Sequence, residues 1–155
     1  MVDASPLILL FKSGQADLLP RLFEEIVIPQ AVYEEVTVME KDVVAIQLPT
    51  VTWYKQIVVP AEPQIISWEL GAGESAVLSF ALTHADYYVM IDDAAARRCA
   101  KALGIRTLGT VGAFILAKRR GLIESVGERL ELVQKAGIWL SDELILLAKQ
   151  EAGEN

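Results

Sequence analysis

The sequence predicts an α/β fold, an αβα sandwich with a mainly parallel central sheet. Short apolar runs that suit buried strands alternate with helical patterns of about 10 to 15 residues, which is the arrangement of βαβ units. The 155 residues fit a single domain over residues 1–155, long enough to bury a core without disulfide or metal support. Hydrophobic residues make up 53% of the chain, as such a core requires.

The first half of the chain contains two predicted strands and several short helices. Met1 to Ala4 is expected to be a strand, and Ser5-Pro6 is expected to start a helix, with serine as the N-cap and proline at the first helical position. Ile26 to Ile28 is an apolar run followed by Pro29, as in a buried strand that ends there. Residues 51–59 alternate in part like a strand. Helical spacing is found in Leu7–Lys12, Ala16–Phe23, Gln30–Val38 and Val43–Ile46.

The second half shows clearer alternation. Tyr87 to Ile91 and Ile105 to Leu108 are apolar runs of strand length. Gly104 and Gly121 each follow a helical segment, where glycine suits the C-terminus of a helix. The predicted helices are Glu74–Thr83, Ala94–Leu103, Val111–Arg120, Leu122–Ala136 and Ser141–Ala152.

Four acidic positions stand where these elements pass into polar loops. They are Asp3, Glu35, Glu74 and Asp93. The carboxyl ends of parallel strands share one edge of the sheet, and open α/β folds bind ligands at that edge. We therefore expect the four carboxylates to converge there. Hard oxygen ligands of this kind suit Mg²⁺ or Mn²⁺.

Each of these acids also has a structural explanation. Asp3 would simply end a strand, and Glu35 would be a solvated helix residue. Glu74 would be a first-turn acid that the helix dipole favours. Asp92 and Asp93 would be an N-cap pair. A shared metal site is favoured because all four positions fall at corresponding ends of elements that a parallel sheet brings together.

The charge distribution allows a nucleic-acid partner despite the overall acidity. A net charge of −7 and a pI near 4.7 argue against binding to a phosphate backbone. No acidic residue occurs between positions 94 and 121, however. The basic residues there are Arg97, Arg98, Lys101, Arg106, Lys118, Arg119 and Arg120. Any one of them would suit a solvated helix face, but such a face usually mixes signs, so the set favours local phosphate binding.

Several chemistries and locations are excluded or disfavoured. The only cysteine, Cys99, permits no internal disulfide and is expected to be buried, which agrees with a cytoplasmic location. The only histidine, His84, excludes a zinc site with several imidazoles. No apolar run reaches the ~20 residues of a membrane span, and no secretory signal is evident. The three tryptophans are expected to pack, although Trp53 or Trp68, if exposed, could stack an RNA base.

Four segments around the acids carry a family resemblance. They are Asp3–Ile8, Ile28–Glu35, Gly71–Ala76 and Ile91–Arg97. In this order they resemble the PIN-domain family, and more narrowly its VapC-like branch, in which an Asp-Asp pair precedes an Ala-Arg helix and a segment like Gly104–Gly112 follows. The resemblance runs from Asp3 to about Gly121 and more loosely into the C-terminal helices. It implies a PIN fold, divalent-metal-dependent ribonuclease activity and, for VapC-like members, a small cognate antitoxin.

The resemblance also assigns the site. It implies that Mg²⁺ or Mn²⁺ is held by Asp3, Glu35, Glu74 and Asp93, with Asp92 as a neighbour that shares the metal. Ser5 matches the polar position that orients the first aspartate. Arg97, Arg98 and Lys101 would hold the phosphates of the substrate. Two departures matter: the leading strand is unusually short, and Glu74 stands where many toxins carry the shorter aspartate, which moves its oxygens outward.

Three functions are compared. The first is a metal-dependent endoribonuclease that cleaves single-stranded RNA, the toxin of a toxin-antitoxin pair. The second is an inactive PIN-like interaction module whose acids are structural. A phosphatase of another α/β fold is disfavoured because Ser5 occupies the second acidic position of an Asp-x-Asp motif.

A homodimer is expected through apolar faces of Leu7 to Phe11 and Ala16 to Phe23.

Overall fold

Residues 1–155 are all described in a computed structural model, which contains four short strands and ten α-helices. The strands are β1 (Ile26–Pro29), β2 (Tyr54–Ile57), β3 (Val89–Met90) and β4 (Thr107–Leu108). The first five helices are α1 (Ala4–Lys12), α2 (Leu18–Leu22), α3 (Gln30–Thr37), α4 (Val43–Gln47) and α5 (Pro63–Ile66). The others are α6 (Ala72–Thr83), α7 (Ala94–Ala102), α8 (Thr110–Arg119), α9 (Val126–Lys135) and α10 (Asp142–Glu151).

The strands pair in parallel, as the alternation of strands and helices predicts. β1 pairs with β2, and β3 pairs with β4. Val2 connects the two pairs: it forms a parallel bridge to Met90, and its N–H donates to the carbonyl of Val27 over 3.2 Å. The order across the row is therefore β2, β1, Val2, β3, β4. Successive crossovers run outward on both sides of Val2, so the end of its short strand lies at the topological switch point.

Three predicted strands are shorter in the structure. Only Val2 of the segment Met1 to Ala4 forms a bridge, and Ala4 already belongs to α1. The runs Tyr87–Ile91 and Ile105–Leu108 are reduced to the two residues each of β3 and β4. A ladder extends only as far as both partners run side by side, and this pair has two register positions. Apolar character predicts a buried segment here, but it does not predict the length of the ladder.

The predicted start of α1 is wrong. Asp3, with an extended backbone, is the N-cap, and the helix begins at Ala4, so Ser5 and Pro6 lie in its first turn. Proline is accepted there because the first N–H groups of a helix have no partner within the helix. Asp3 is fixed by the strand that precedes it, since its N–H donates to the carbonyl of Met90 over 3.0 Å. The helix therefore starts as soon as the strand ends.

The sequence does not predict α5, a helix of 4 residues that begins at Pro63. The other helices agree with the prediction to within a few residues at each end. The largest difference is α9, which begins at Val126 and not at Leu122, because the Ser125 hydroxyl accepts the N–H of Glu128 as its N-cap. Gly104 and Gly121 follow α7 and α8 with φ of +72° and +74°, as predicted for these helix ends.

The apolar side chains form one core of 38 buried residues that surrounds the sheet. On one side α1 packs on α3 and α4, and α3 packs on α6; α8, α9 and α10 form a second group. The segments predicted as a dimer interface belong to this core. Leu7, Leu10, Leu18 and Leu19 are each at most 2% exposed, whereas Ile8 is 39% exposed, so only the outer face of these segments is left for an interface and the homodimer stays a prediction. None of the helices is long and apolar enough to cross a membrane.

Glu154 fastens the end of the chain to α8 and α9. Its carboxylate accepts from the Lys118 ammonium at 2.8 Å, the Ser125 hydroxyl at 2.9 Å and the backbone N–H groups of Val126 and Gly127 at 2.8 and 3.0 Å. Burial by itself would raise the pKa of Glu154, but these four donors outweigh it and lower the pKa to about 2. The carboxylate therefore completes the N-terminal cap of α9.

We expect Glu154→Gln to lower the free energy of unfolding at pH 7 by roughly 1 to 3 kcal/mol, because the amide loses the charge that four donors share. The depressed pKa makes this contribution fully present above pH 4.5, and it is lost as the pH falls through about 2. Chemical denaturation at pH 7 and pH 3 measures both effects. Glu131→Gln, at an exposed position of α9, is the control, and equal losses from the two variants would contradict the role of Glu154.

Candidate metal centre

Asp3 is the innermost acid of the predicted site. It is 3% exposed, and its Oδ1 is buried without any hydrogen-bond partner. The side chain does not cap α1 either, although Asp3 stands at the N-cap position. A buried carboxylate oxygen with no donor is costly unless a proton or a cation meets it. Asp3 is therefore the strongest single indication of a cation site at this edge of the sheet.

Glu35 meets Asp3 over Gly73. Glu35 lies on α3, which follows β1 directly, and Gly73 lies in the first turn of α6. A Cβ at Gly73 would lie 3.0 Å from Glu35 Oε2 and 3.5 Å from Asp3 Oδ1. The same atom would lie 3.2 Å from Val32 Cγ2. A side chain at this position would therefore crowd Glu35 and contact Asp3, and glycine leaves the space that their oxygens face.

Glu74 lies beside this space but turns back toward its own helix. Its Oε2 accepts the N–H of Gly71, the N-cap residue of α6, over 3.0 Å. The expected outward shift of its oxygens relative to those of an aspartate stays a prediction. Glu74 is half-buried.

Asp93 has a capping role of its own. It is the N-cap of α7, and its Oδ2 accepts the N–H of Ala96 over 2.9 Å. The structural explanation that the sequence allows for Asp93 is thus observed. It leaves Oδ1 without a bond to the protein, and the residue is exposed, so one oxygen is available to a ligand.

Glu35, Glu74 and Asp93 are close enough to affect the pKa of Asp3. Burial raises the pKa of Asp3 to about 7, and the nearby backbone N–H of Ala4 only partly opposes this. The negative charges of Glu74, Glu35 and Asp93 raise it further. Asp3 therefore holds a proton up to neutral pH in the absence of a cation. A divalent cation would replace that proton and meet the unpaired oxygen, so the residues fit a Mg²⁺ or Mn²⁺ ion.

The acids do not form a complete ligand set as their side chains stand. No group of three or more His, Cys, Asp or Glu side chains lies in a metal-holding arrangement. The reason is visible in the two caps, because Glu74 and Asp93 each use one oxygen on a backbone N–H of their own helix. Coordination by all four residues remains a prediction.

Asp92 has a different environment from Asp93. Both of its oxygens bind Thr110, where Oδ1 accepts the N–H at 2.8 Å and Oδ2 accepts the hydroxyl at 2.6 Å. The carboxylate thereby joins the loop after β3 to the first residue of α8. These bonds favour a positioning role over the metal sharing that the family resemblance implies.

Gly109 lies between the Arg97 guanidinium and the Asp92 carboxylate. A Cβ at Gly109 would lie 2.7 Å from Nη1 of Arg97 and 3.1 Å from Oδ1 of Asp92, so glycine allows the guanidinium to lie where it does. Arg97 stands one turn after Asp93 on α7, and its N–H donates to the Asp93 carbonyl over 2.9 Å. The guanidinium makes no hydrogen bond within the protein and is exposed, which leaves its donors to a ligand.

The three predicted phosphate-binding residues lie together. Arg97, Arg98 and Lys101 are exposed on α7 and border one open cavity of about 340 Å³, which Ile105 and Thr107 complete. None of the three forms an ion pair in the protein. This basic cavity begins one helical turn from Asp93, so cationic donors adjoin the acidic site.

The remaining basic residues of the segment mostly serve the fold. Arg106 donates to the carbonyl of Ala85 at 2.7 Å, Lys118 pairs with Glu154, and Arg120 donates to the carbonyl of Leu22 at 2.6 Å. The run of seven cations is therefore not one phosphate-binding surface. Spacing alone does not separate the two groups.

The other candidate side chains have structural positions. Cys99 is fully buried, as predicted, and His84 stacks on Phe80 at the end of α6. Trp53 packs on Phe11, with the ring centroids 6.1 Å apart, whereas Trp68 is 39% exposed. The packing predicted for Trp139 is wrong, since this residue is 83% exposed.

Ser5 does not orient Asp3, and sequence reasoning missed three residues that shape the site. The Ser5 side chain is exposed and makes no hydrogen bond to the Asp3 carboxylate that it was expected to orient.

The residues that sequence reasoning missed are Gly73, Gly109 and Thr110. The two glycines leave room for the oxygens and the guanidinium, and Thr110 anchors Asp92. Their signal in the sequence is a small residue at the start of a helix, which by itself does not indicate a site.

Comparison with known proteins gives one match. A family model described as a PIN domain matches residues 1–154, so the chain belongs to the PIN-domain family. No curated protein and no solved structure gave a significant match. PIN domains are generally nucleases and typically use divalent metal ions. The family resemblance derived from the acidic motifs is thereby confirmed, and the VapC-like branch is compatible with it.

We expect Asp3→Asn to stabilise the cation-free protein at pH 8 by roughly 2 to 4 kcal/mol and to have little effect at pH 4. The pKa of Asp3 is raised from its ordinary value of 3.8 to about 7 in the folded state. The contribution of the protonated Asp3 to the free energy of unfolding is therefore fully present below pH 3.8. It is lost as the pH rises through about 7, because the buried carboxyl must then ionise. Urea denaturation in EDTA at both pH values measures the difference.

Asp86→Asn is the control for this experiment, since Asp86 is an exposed acid that precedes β3. It removes one charge as well, but it removes no buried carboxyl. A stabilisation of Asp3→Asn that is the same at pH 4 and pH 8 would contradict a proton held at Asp3.

Proposed function

We propose that the protein is a metal-dependent endoribonuclease that cleaves single-stranded RNA. The observation that carries the proposal is the buried carboxylate of Asp3, which has an unpaired oxygen at the switch point of the sheet and three further acids around it. Membership of a family of nucleases supports the reaction class. The RNA substrate, the metal requirement and the roles of single residues belong to the proposal.

Asp3 and Glu35 would hold the divalent cation, with Glu74 and Asp93 as further ligands. Gly73 supports this assignment because it leaves the oxygens of Asp3 and Glu35 facing a common space. A bound Mg²⁺ or Mn²⁺ lowers the pKa of a coordinated water and stabilises negative charge on the leaving oxygen of a phosphodiester. Asp3 gives up its proton when a cation binds, because the pKa of about 7 belongs to the cation-free state.

Arg97, Arg98 and Lys101 would bind the phosphates on either side of the scissile bond. The support is positional: the three cations border one cavity, are exposed, and begin one turn after Asp93. Asp92 would fix this arrangement through its two bonds to Thr110 and would not reach the cation itself. Such contacts follow the backbone of RNA and carry little base specificity.

The biological role we propose is that of a toxin in the cytoplasm whose activity a small antitoxin controls. This part rests on the resemblance to the VapC-like branch in the order of its acidic motifs. We also propose a homodimer, with an interface that does not use the buried leucines of α1 and α2.

An inactive interaction module is the second candidate, and one observation favours it. Glu74 and Asp93 each complete a helix cap, and no three acidic side chains form a ligand set. A module of this kind would retain the fold and the caps without binding Mn²⁺. The two candidates therefore differ in a direct binding measurement.

We expect Asp93→Asn to weaken Mn²⁺ binding and RNA cleavage together, by about tenfold or more, while folding is preserved. Asparagine caps a helix about as well as aspartate, so the loss reflects the missing ligand charge. Calorimetry of Mn²⁺ binding at pH 6.5 and cleavage of several single-stranded RNAs measure the two effects. Unchanged cleavage by Asp93→Asn would remove this residue from the site.

The control variant is Asp42→Asn. Asp42 is also exposed and stands at the N-cap position of α4, where its side chain makes no capping hydrogen bond, so the substitution removes the same charge outside the acidic cluster. Calorimetry in two buffers of different ionisation enthalpy adds a second measurement, since wild type should release up to about one proton per Mn²⁺ from Asp3. No Mn²⁺ binding and no cleavage by wild type would support the inactive module.

A further inference from the structure

An exposed tryptophan stands just before the helix that contributes Gly73 and Glu74 to the acidic site. Trp68 lies between α5 and α6 and is 39% exposed. Its indole ring forms no aromatic pair and no hydrogen bond in the protein, whereas Trp53 packs on Phe11. Aromatic rings are usually packed in the fold, so the open face of Trp68 is a surface that a ligand can use.

The chain places Trp68 at the end of α6 that adjoins the acidic site. The N–H of Glu62 donates to the Ser79 hydroxyl over 3.0 Å, in the second half of α6. From there α5 runs back along α6 to Gly71, the N-cap. Trp68 precedes Gly71 by three residues, so their Cα atoms are at most about 11 Å apart. Since the Glu74 carboxylate contacts the N–H of Gly71, the indole ring lies within the length of a few nucleotides from the acids.

The backbone directly after Trp68 is strained. Glu69, with φ of +54°, is the only residue other than glycine in the left-handed region, which is unfavourable for a residue with a Cβ. Two hydrogen bonds of 3.0 Å hold the turn, from the N–H of Trp68 to the Ile65 carbonyl and from the N–H of Glu69 to the Ile66 carbonyl. Strained residues of this kind are concentrated at functional sites, where the surrounding structure fixes them. The turn therefore holds Trp68 in a defined position.

The charges around Trp68 favour a base over a phosphate as its ligand. No lysine or arginine occurs between Lys55 and Arg97, and Glu69 is an exposed acid. A phosphate would therefore meet no cation from α5, α6 or the loop between them. A base is uncharged and packs its flat face on an aromatic ring. The cations of the basic cavity, by contrast, approach the acids along α7.

We infer that Trp68 is a substrate-binding residue that stacks an unpaired base of the RNA, within a few nucleotides of the scissile phosphate. The inference rests on the proposed ribonuclease function. The basic cavity of α7 holds the phosphates of the strand, the strand crosses the acids, and a base beyond them stacks on Trp68. Both faces of a base are covered in a duplex, so this contact selects RNA that is single-stranded at that nucleotide. Stacking accepts any base, because every base has a flat face.

Binding of labelled RNA oligomers to the full chain tests the inference. Fluorescence anisotropy in EDTA measures the dissociation constants of a short oligoadenylate and of the same oligomer without its bases. We expect Trp68→Ala to weaken binding of the oligoadenylate at least about tenfold and to leave binding of the abasic oligomer unchanged. Trp68→Phe retains a ring and should stay within about threefold of wild type. With Mn²⁺ present, the KM of cleavage by Trp68→Ala should rise to the same extent, while kcat changes less than about twofold.

Trp139→Ala is the control, because Trp139 is 83% exposed just before α10 and should have no part in binding. Circular dichroism establishes that each variant is folded. Equal losses for the two oligomers would indicate a structural role of Trp68 and overturn the inference. A loss in Trp68→Phe or Trp139→Ala as large as that in Trp68→Ala would also overturn it, as would a wild type that does not bind the oligoadenylate.

The same measurements separate the inference from the proposed function. Cleavage by wild type with a KM that Trp68→Ala leaves unchanged would overturn the stacking role and retain the ribonuclease. Base-dependent binding that needs Trp68, without cleavage in Mn²⁺, would retain the stacking role and contradict the ribonuclease.

Discussion

The hydrogen bonds of one short segment hold the two halves of the sheet together. Val2 donates to Val27 on one side, and on the other side the Asp3 N–H donates to the Met90 carbonyl while the Met90 N–H donates to the Met1 carbonyl. Without this segment the strands form two separate parallel pairs. The same bonds fix the backbone of Asp3 at the centre of the row, so the acid with the strongest claim to a cation is placed by the most constrained part of the fold.

The site shows a competition between two uses of a carboxylate. Glu74 and Asp93 stabilise the starts of α6 and α7, and their negative charges also raise the pKa of the buried Asp3. Each cap has a net value of about 1 kcal/mol. A bound divalent cation offers an interaction of greater strength, so a shift of one oxygen from a backbone N–H to the cation is energetically accessible. The same carboxylate can then cap a helix in the cation-free protein and coordinate the cation when it is bound.

Much of the fold follows from local pattern, and what fails depends on long-range contacts. The apolar run at Ile26–Ile28 predicts β1 to within one residue, because burial on both faces requires continuous apolar character. The run Tyr87–Ile91 predicts a buried segment correctly but not the length of β3, which its partner limits. The acids at the ends of elements can be predicted from parallel topology. Whether Asp92 or Asp93 faces the centre cannot, because it depends on Thr110, eighteen residues later.

The bonds of Glu154 also determine how α10 is presented. The carboxylate follows α10 by three residues and accepts hydrogen bonds from four donors on α8 and α9. These bonds fix α10 relative to the rest of the chain. Its pKa of about 2 keeps these bonds intact throughout the physiological range. A surface that is already rigid loses little conformational entropy when another surface packs against it. Glu154 therefore lowers the conformational entropy that the exposed face of α10 would lose on binding a partner.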